Sequence, residues 1–175
     1  MHQPLSLFQL LDLRSFSNLW FWIVLAVTWS MASHWVLGVP YDMVLRARRM
    51  GGKAQQDLEE ITRINVDRRL YIADRAGPWL VAALFFILST CVFMGFWYDN
   101  EFSQAIFLLF TPLSLVWWLS MASARRIAAG EGQGDALHRR LYVHRFTTQV
   151  IGLAAIFVTA LWGMYQNLRL AIFHH

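Results

Sequence analysis

His34 is the residue whose type and position best suit chemistry in an apolar environment. It lies between Ser33 and Trp35 in the apolar run 19–39, which contains no Asp, Glu, Lys or Arg. Ionisable side chains in such runs are rare and are functional candidates by default. An imidazole there could ligate haem, hydrogen-bond a quinone oxygen or relay a proton. It could equally be a structural histidine bonded to a neighbouring helix, and the sequence leaves these interpretations open.

Other chemistry finds little support in the residue pattern. Bis-histidine haem ligation needs a second histidine at a membrane depth similar to that of His34, and among the other histidines only His144 lies close to that depth. A single cysteine excludes an intramolecular disulfide and a cysteine-based zinc or iron–sulfur site. The glycines at 128–134 follow no strand pattern and precede no Gly-Lys-Ser/Thr, so they do not indicate a phosphate-binding loop. We therefore expect no catalytic residues, no bound metal and a function that is not enzymatic.

The elements that must position these residues are membrane-spanning helices. The chain has 175 residues, 57% hydrophobic and 15% charged, with a mean hydropathy of +0.40. That composition is too apolar for a water-soluble domain. Four runs reach the roughly 20 residues that a helix needs to cross a bilayer: 19–39, 78–98, 103–123 and 147–168. The sequence predicts an all-α membrane protein with four transmembrane helices in a single membrane domain, 1–175, with Pro78 at the start of the second span.

The distribution of positive charge predicts the orientation. The 41–77 loop carries eight Lys and Arg residues and the 124–146 loop carries five. The 99–102 connection carries none, and each terminal segment carries one. The positive-inside rule therefore places both long loops in the cytoplasm and both termini in the periplasm. Because the charge flanks the spans, we expect no nucleic-acid partner.

The segments outside the spans also carry helical patterns. Residues 5–13 predict a short amphipathic helix at the membrane interface. The 41–77 loop predicts two helical pieces: an extension of the first span through about Met50, bent at Pro40, and a helix from about Ala54 to Arg75. Glu59 is the expected i,i+4 partner of Arg63. The glycine-rich 128–134 segment predicts a flexible break.

Two segments of the chain resemble each other. Residues 30–33 and 120–123 both read Ser-Met-Ala-Ser, and 68–71 and 139–142 both read Arg-Arg-Leu-Tyr. Either a two-helix hairpin was duplicated in tandem or the likeness is chance. The small residues suit close helix packing. The Arg-Arg-Leu-Tyr copies suit binding of an anionic phospholipid such as cardiolipin, unless they only obey the positive-inside rule. The candidate lipid-binding residues are Arg68, Arg69, Tyr71, Arg139, Arg140 and Tyr142.

The N-terminal third carries a family resemblance. It rests on the runs Arg-Ser-Phe-Ser-Asn-Leu-Trp at 14–20 and Ala-Ser-His-Trp-Val-Leu-Gly-Val-Pro-Tyr-Asp at 32–42. With them, the chain resembles a family of small alphaproteobacterial inner-membrane proteins often labelled "component of SufBCD complex", best over residues 12–49. The resemblance implies a bacterial inner-membrane location and a link to iron–sulfur cluster assembly. It implies no catalytic motif.

These observations favour an accessory or assembly subunit of a larger bacterial inner-membrane complex, respiratory or photosynthetic. Its expected partners are other membrane protein subunits and anionic phospholipid, and a homo-oligomer is also open. The first alternative is a redox protein that binds quinone or haem through His34. The second is a small oligomeric transporter or channel.

Overall fold

The computed structural model describes residue 16 and residues 19–173, with the backbone alone for residues 170–173. Within that part, five helices account for most of the chain and confirm the predicted all-α class. The predicted interfacial helix at 5–13 lies outside the described residues. The helices are α1 Leu19–His34, α2 Tyr41–Met50, α3 Gly52–Val92, α4 Glu101–Arg126 and α5 Gly134–Phe173. The π-helical turns Phe93–Trp97 and Ile127–Glu131 follow α3 and α4.

Three of these helices, α3, α4 and α5, are long and apolar enough to cross a membrane, and α1 is a shorter apolar helix. The predicted first span, 19–39, extends beyond the C-terminal end of α1. With 16 residues, α1 is about 24 Å long, shorter than the ~30 Å hydrocarbon core. His34 is its last residue.

A tight hairpin replaces the predicted end of the first span. Strands β1 Trp35–Val36 and β2 Val39–Pro40 pair antiparallel around Leu37 and Gly38, whose φ angles are 53° and 83°. Two positive φ angles in a row are typical of the turn that matches the twist of paired strands. The Gly38 carbonyl accepts a hydrogen bond of 3.2 Å from Asn65 Nδ2 on α3. Val36, Leu37 and Val39 of this segment are buried against protein, whereas Trp35 is 50% exposed.

Helix α3 joins a predicted loop helix to a predicted span. It runs without interruption for 41 residues, about 60 Å, and contains Pro78 in its interior. The expectation that Pro78 starts a helix was therefore wrong. Proline in a helix removes one backbone hydrogen bond, here to the carbonyl of Asp74, and the helix tolerates this single loss. Similarly, α5 joins the end of the second long loop to the fourth span.

The arginine-rich end of the molecule has a hydrophobic core of its own. We call this end the head, residues 35–76 and 124–145. The hairpin, α2 and the adjoining halves of α3, α4 and α5 meet there, and each contributes buried apolar side chains. These are Val36, Leu37, Val39, Val44, Ala47, Leu58, Val66, Ala124, Ile127, Leu137 and Leu141. The long loops thus form a packed body that holds surface residues in fixed positions.

A second core joins α1 to the bundle. Leu25 and Trp29 of α1 pack against Ala155 of α5, with apolar residues of α4 alongside. Gly152 allows the closest approach, since a Cβ built on it would lie 2.6 Å from Cε3 of Trp29. Helix α1 therefore docks on the α4–α5 pair.

Candidate functional site

The head carries an open polar cleft of about 800 Å³ between α3 and the glycine-rich turn that follows α4. One wall is a face of α3 and the other is the turn 127–133. The charged and amide side chains of the helical wall are Gln56, Glu59, Glu60, Arg63 and Asp67. This wall carries three carboxylates and one guanidinium, so its side chains have a net negative charge on a head that is otherwise rich in arginine.

Hydrogen bonds across the head tie α3 to the start of α5, directly after the glycine-rich turn. Glu59 accepts from Gln55 at 2.7 Å and from the backbone N–H of Gly134 at 2.9 Å. His138 Nε2 lies 2.7 Å from Gln55 Oε1, which ties α5 to α3. These contacts bridge elements far apart in sequence, so the cleft is formed before any ligand arrives.

The glycine-rich wall is fixed as well. Arg140 holds Glu131 through a two-point ion pair, with distances of 2.5 and 2.9 Å. Gly130 and Gly134 have φ angles of 130° and 53°, which favour glycine. The segment predicted to be a flexible break is therefore a turn tied to both neighbouring helices.

The pairing of the acids differs from the expected one. Arg63 pairs with Glu60 at 2.8 Å, and Glu59 is directed to Gly134. The Arg63–Glu60 pair is well exposed, and such surface pairs contribute little to stability. Glu60 and the exposed Asp67 are therefore accessible to a ligand, whereas Glu59 has a structural role.

Within the part of the chain that the structure describes, no group of three or more His, Cys, Asp or Glu residues is placed to hold a metal ion. The cleft combines carboxylates, amides and backbone of a glycine-rich turn. Such a surface suits electrostatic recognition of a cationic segment, because oppositely charged patches steer and orient association.

A buried polar cluster lies where the head meets the spans, and the sequence did not predict it. His144 of α5, the second histidine considered for haem ligation, is only 6% exposed. Its Nε2 lies 3.3 Å from Ser120 Oγ and its Nδ1 lies 3.5 Å from Ser123 Oγ. Both serines are buried too. These groups satisfy one another between α4 and α5, so the Ser-Met-Ala-Ser copy at 120–123 packs helices as predicted. In the copy at 30–33, Ser30 and Met31 are exposed.

The predicted cofactor residue His34 lies in a different environment. It is exposed at the end of α1, and its ring packs edge-on against Trp35 with 5.9 Å between centroids. His144 is enclosed between α4 and α5. A haem or quinone role for His34 stays a prediction.

The predicted lipid-binding residues occupy equivalent positions on α3 and α5. In each copy the first arginine is exposed, the second is half-buried and the tyrosine is exposed, namely Arg68, Arg69 and Tyr71 on α3 and Arg139, Arg140 and Tyr142 on α5. Arg75 lies 5.7 Å from the Tyr71 ring centroid, and Tyr142 stacks on Phe146. Arg140 is also paired with Glu131. The exposed arginines of the two copies are Arg68 and Arg139.

No family model, curated protein or solved structure matches the chain.

Proposed function

We propose that this protein is a non-enzymatic accessory or assembly subunit of a larger bacterial inner-membrane complex, respiratory or photosynthetic, which acts by helix packing and lipid contact. The observation that carries the proposal is the preformed acidic cleft on a packed head. Its partner is a membrane protein subunit that presents a cationic segment at the membrane surface. In this proposal the spans anchor the head and the cleft selects the partner.

The use of the polar side chains supports this function. His144, Ser120 and Ser123 bond one another between helices, and Glu59, Gln55 and His138 tie the head together. These groups are engaged in holding a shape. Glu60 and Asp67 remain on the surface of that shape, where they face solvent.

Charge reversal in the cleft tests the proposed partner site. The full-length protein, extracted in a mild detergent, is expected to carry a stoichiometric membrane partner that mass spectrometry identifies. The double variant Glu60→Lys, Asp67→Lys is expected to reduce recovery of the partner at least about tenfold, because like charges then meet at the contact.

The double variant Asp57→Lys, Asp74→Lys provides the matched control. Asp57 and Asp74 are exposed acids on the same helix but lie outside the cleft. This variant should keep the partner. Equal loss from the control would point to general charge effects. Recovery of the protein alone, or only as a homo-oligomer, under several gentle conditions would contradict the subunit proposal.

The orientation of the head has a separate test. We propose that the head faces the cytoplasm and that both termini face the periplasm. Reporter fusions at Lys53 and Gln133, which are exposed on the head, should read as cytoplasmic. A fusion at Asn100, exposed in the turn between α3 and α4, should read as periplasmic. The opposite pattern would invert the orientation.

A further inference from the structure

Two cavities between α3 and α4 join into one groove that leads from the spans to the head. The larger, of about 650 Å³, has α4 as its floor and α3 and α5 as its walls. The smaller, of about 380 Å³, lies at the border with the head. Val81, Trp117 and Trp118 line both cavities, so the groove is continuous.

The span part of the groove presents hydrocarbon. Its hydroxyl groups are turned to their own helices: Thr111 donates to the Phe107 carbonyl and Thr159 to the Ala155 carbonyl, each at 2.7 Å. Ser114 likewise donates to the Thr111 carbonyl at 2.7 Å. An apolar chain entering this groove therefore leaves no side-chain hydroxyl unsatisfied.

The head part of the groove has a different character. Small residues, Ala73, Gly77 and Ala122, keep it open next to Trp118, which is 63% exposed. Beyond them lies the exposed side chain of Arg125. Among the described residues that line the two cavities, Arg125 is the only charged one. Tryptophan and arginine at the end of an apolar surface are typical of the headgroup level of a membrane.

The groove is long enough to hold the acyl chains of a lipid from one membrane leaflet. From Phe107 to Arg125, the α4 residues at its two ends, the helix axis rises about 27 Å at 1.5 Å per residue. Half of a bilayer, including its headgroup region, is about 20–22 Å thick. A partner helix would not need a single cation at one end of its groove, whereas an anionic lipid would place its phosphate there.

We propose that this groove binds one anionic phospholipid from the leaflet on the head side. The acyl chains lie between α3, α4 and α5, and the phosphate pairs with the Arg125 guanidinium. The site is distinct from the Arg-Arg-Leu-Tyr segments, whose arginines do not line the groove. It is also independent of the partner cleft, so it stands if the proposed function fails.

Native mass spectrometry of the full-length protein in detergent tests the site. The protein is incubated with phosphatidylglycerol or with phosphatidylcholine of the same acyl chains. We expect one phosphatidylglycerol to remain bound when phosphatidylcholine is lost. Arg125→Gln should lower phosphatidylglycerol retention about fivefold, the effect of one basic side chain at the headgroup level. Arg126→Gln is the matched control, since Arg126 is exposed next in sequence but outside the groove.

A second variant fills the groove without touching the charge. A Cβ on Gly77 meets no atom of another helix within 4 Å, so the side chain of Gly77→Leu extends into the open groove. It should also lose the lipid, while its circular dichroism spectrum matches that of the unmodified protein. Equal retention of both lipids, an equal loss from Arg126→Gln, or unchanged retention in Gly77→Leu would each overturn the proposal.

Discussion

Replacement of Gly152 by alanine is expected to lower the free energy of unfolding by about 2 kcal/mol. The new methyl group would lie 2.6 Å from Cε3 and 3.0 Å from Cδ2 of Trp29. Trp29 is only 4% exposed and is packed between α4 and α5, so its ring has no room to move aside. The helices must separate, which weakens the docking of α1. Thermal unfolding in detergent, followed by circular dichroism and tryptophan fluorescence, measures the loss.

Gly77→Ala is the matched control for this prediction. Gly77 is also inside a long helix, but a Cβ there meets no atom of another helix within 4 Å. Alanine has a higher helix propensity by up to about 1 kcal/mol, and this gain is offset because the ring of Pro78 crowds a Cβ on the preceding residue. Gly77→Ala is therefore expected to change stability by less than about 1 kcal/mol in either direction, well below the loss at Gly152. Similar effects at both positions would show that Gly152 does not limit the approach of α1.

The ring of Trp29 can be removed to test the same contact from the other side. Trp29→Ala is destabilising by itself, because it leaves a cavity in the second core. In that background, however, Gly152→Ala should cost little, since the clashing atoms are gone. Coupling of about 2 kcal/mol between the two changes is expected from the double-mutant cycle. Additive effects would contradict the proposed contact.

Much of the fold follows from hydropathy, because apolar runs of about 20 residues have few alternatives to helices in a membrane. The runs at 78–98 and 103–123 fall within α3, its π-helical turn and α4. The segment 36–39 shows the limit of that argument. An apolar run can face lipid or the inside of a protein, and Val36 and Val39 are buried in the head core. The turn at Leu37 and Gly38, with its positive φ angles, folds this segment back into the head, and a hydropathy pattern does not specify such a turn.

The candidate cleft could not be predicted from the sequence, for a related reason. The pattern placed Glu59 and Arg63 one turn apart on a helix, which predicted a local ion pair. The actual partner of Glu59 is the backbone N–H of Gly134, 75 positions away. Local spacing gives neighbours on one helix, but a contact between α3 and the start of α5 depends on how the whole head packs. The same holds for His144 and its two serines on α4.

Gln104 joins several elements through its side-chain amide, and its loss should strongly affect stability. It is 1% exposed near the start of α4. Its Nε2 donates to the Gly95 carbonyl at 2.8 Å and to Asp99 Oδ1 at 3.5 Å. Its Oε1 accepts from Trp162 Nε1 at 2.9 Å and from Gln166 Nε2 at 2.6 Å. One amide thus joins the end of α3 to α4 and α5.

Gln104→Met is expected to lower the free energy of unfolding by about 2–4 kcal/mol. Methionine keeps the length of the side chain but leaves the Gly95 carbonyl and the donors of Trp162 and Gln166 without this partner. Each unpaired group is costly where water does not reach it. The measurement is thermal or denaturant unfolding in detergent, with the tryptophan emission maximum recorded for the folded state.

Gln149→Met separates this network from the general effect of removing an amide. Gln149 is exposed on α5 within the fourth predicted span, so its replacement should change stability by less than about 0.5 kcal/mol. Trp162→Phe removes only one of the four bonds and should fall between the two, because Gln104 keeps its contacts with Gly95, Asp99 and Gln166. If Gln104→Met and Gln149→Met were equally mild, the amide network would not hold the helices together. The turn between α3 and α4 would then owe its geometry to apolar packing, such as the edge-to-face contact of Phe96 with Phe107.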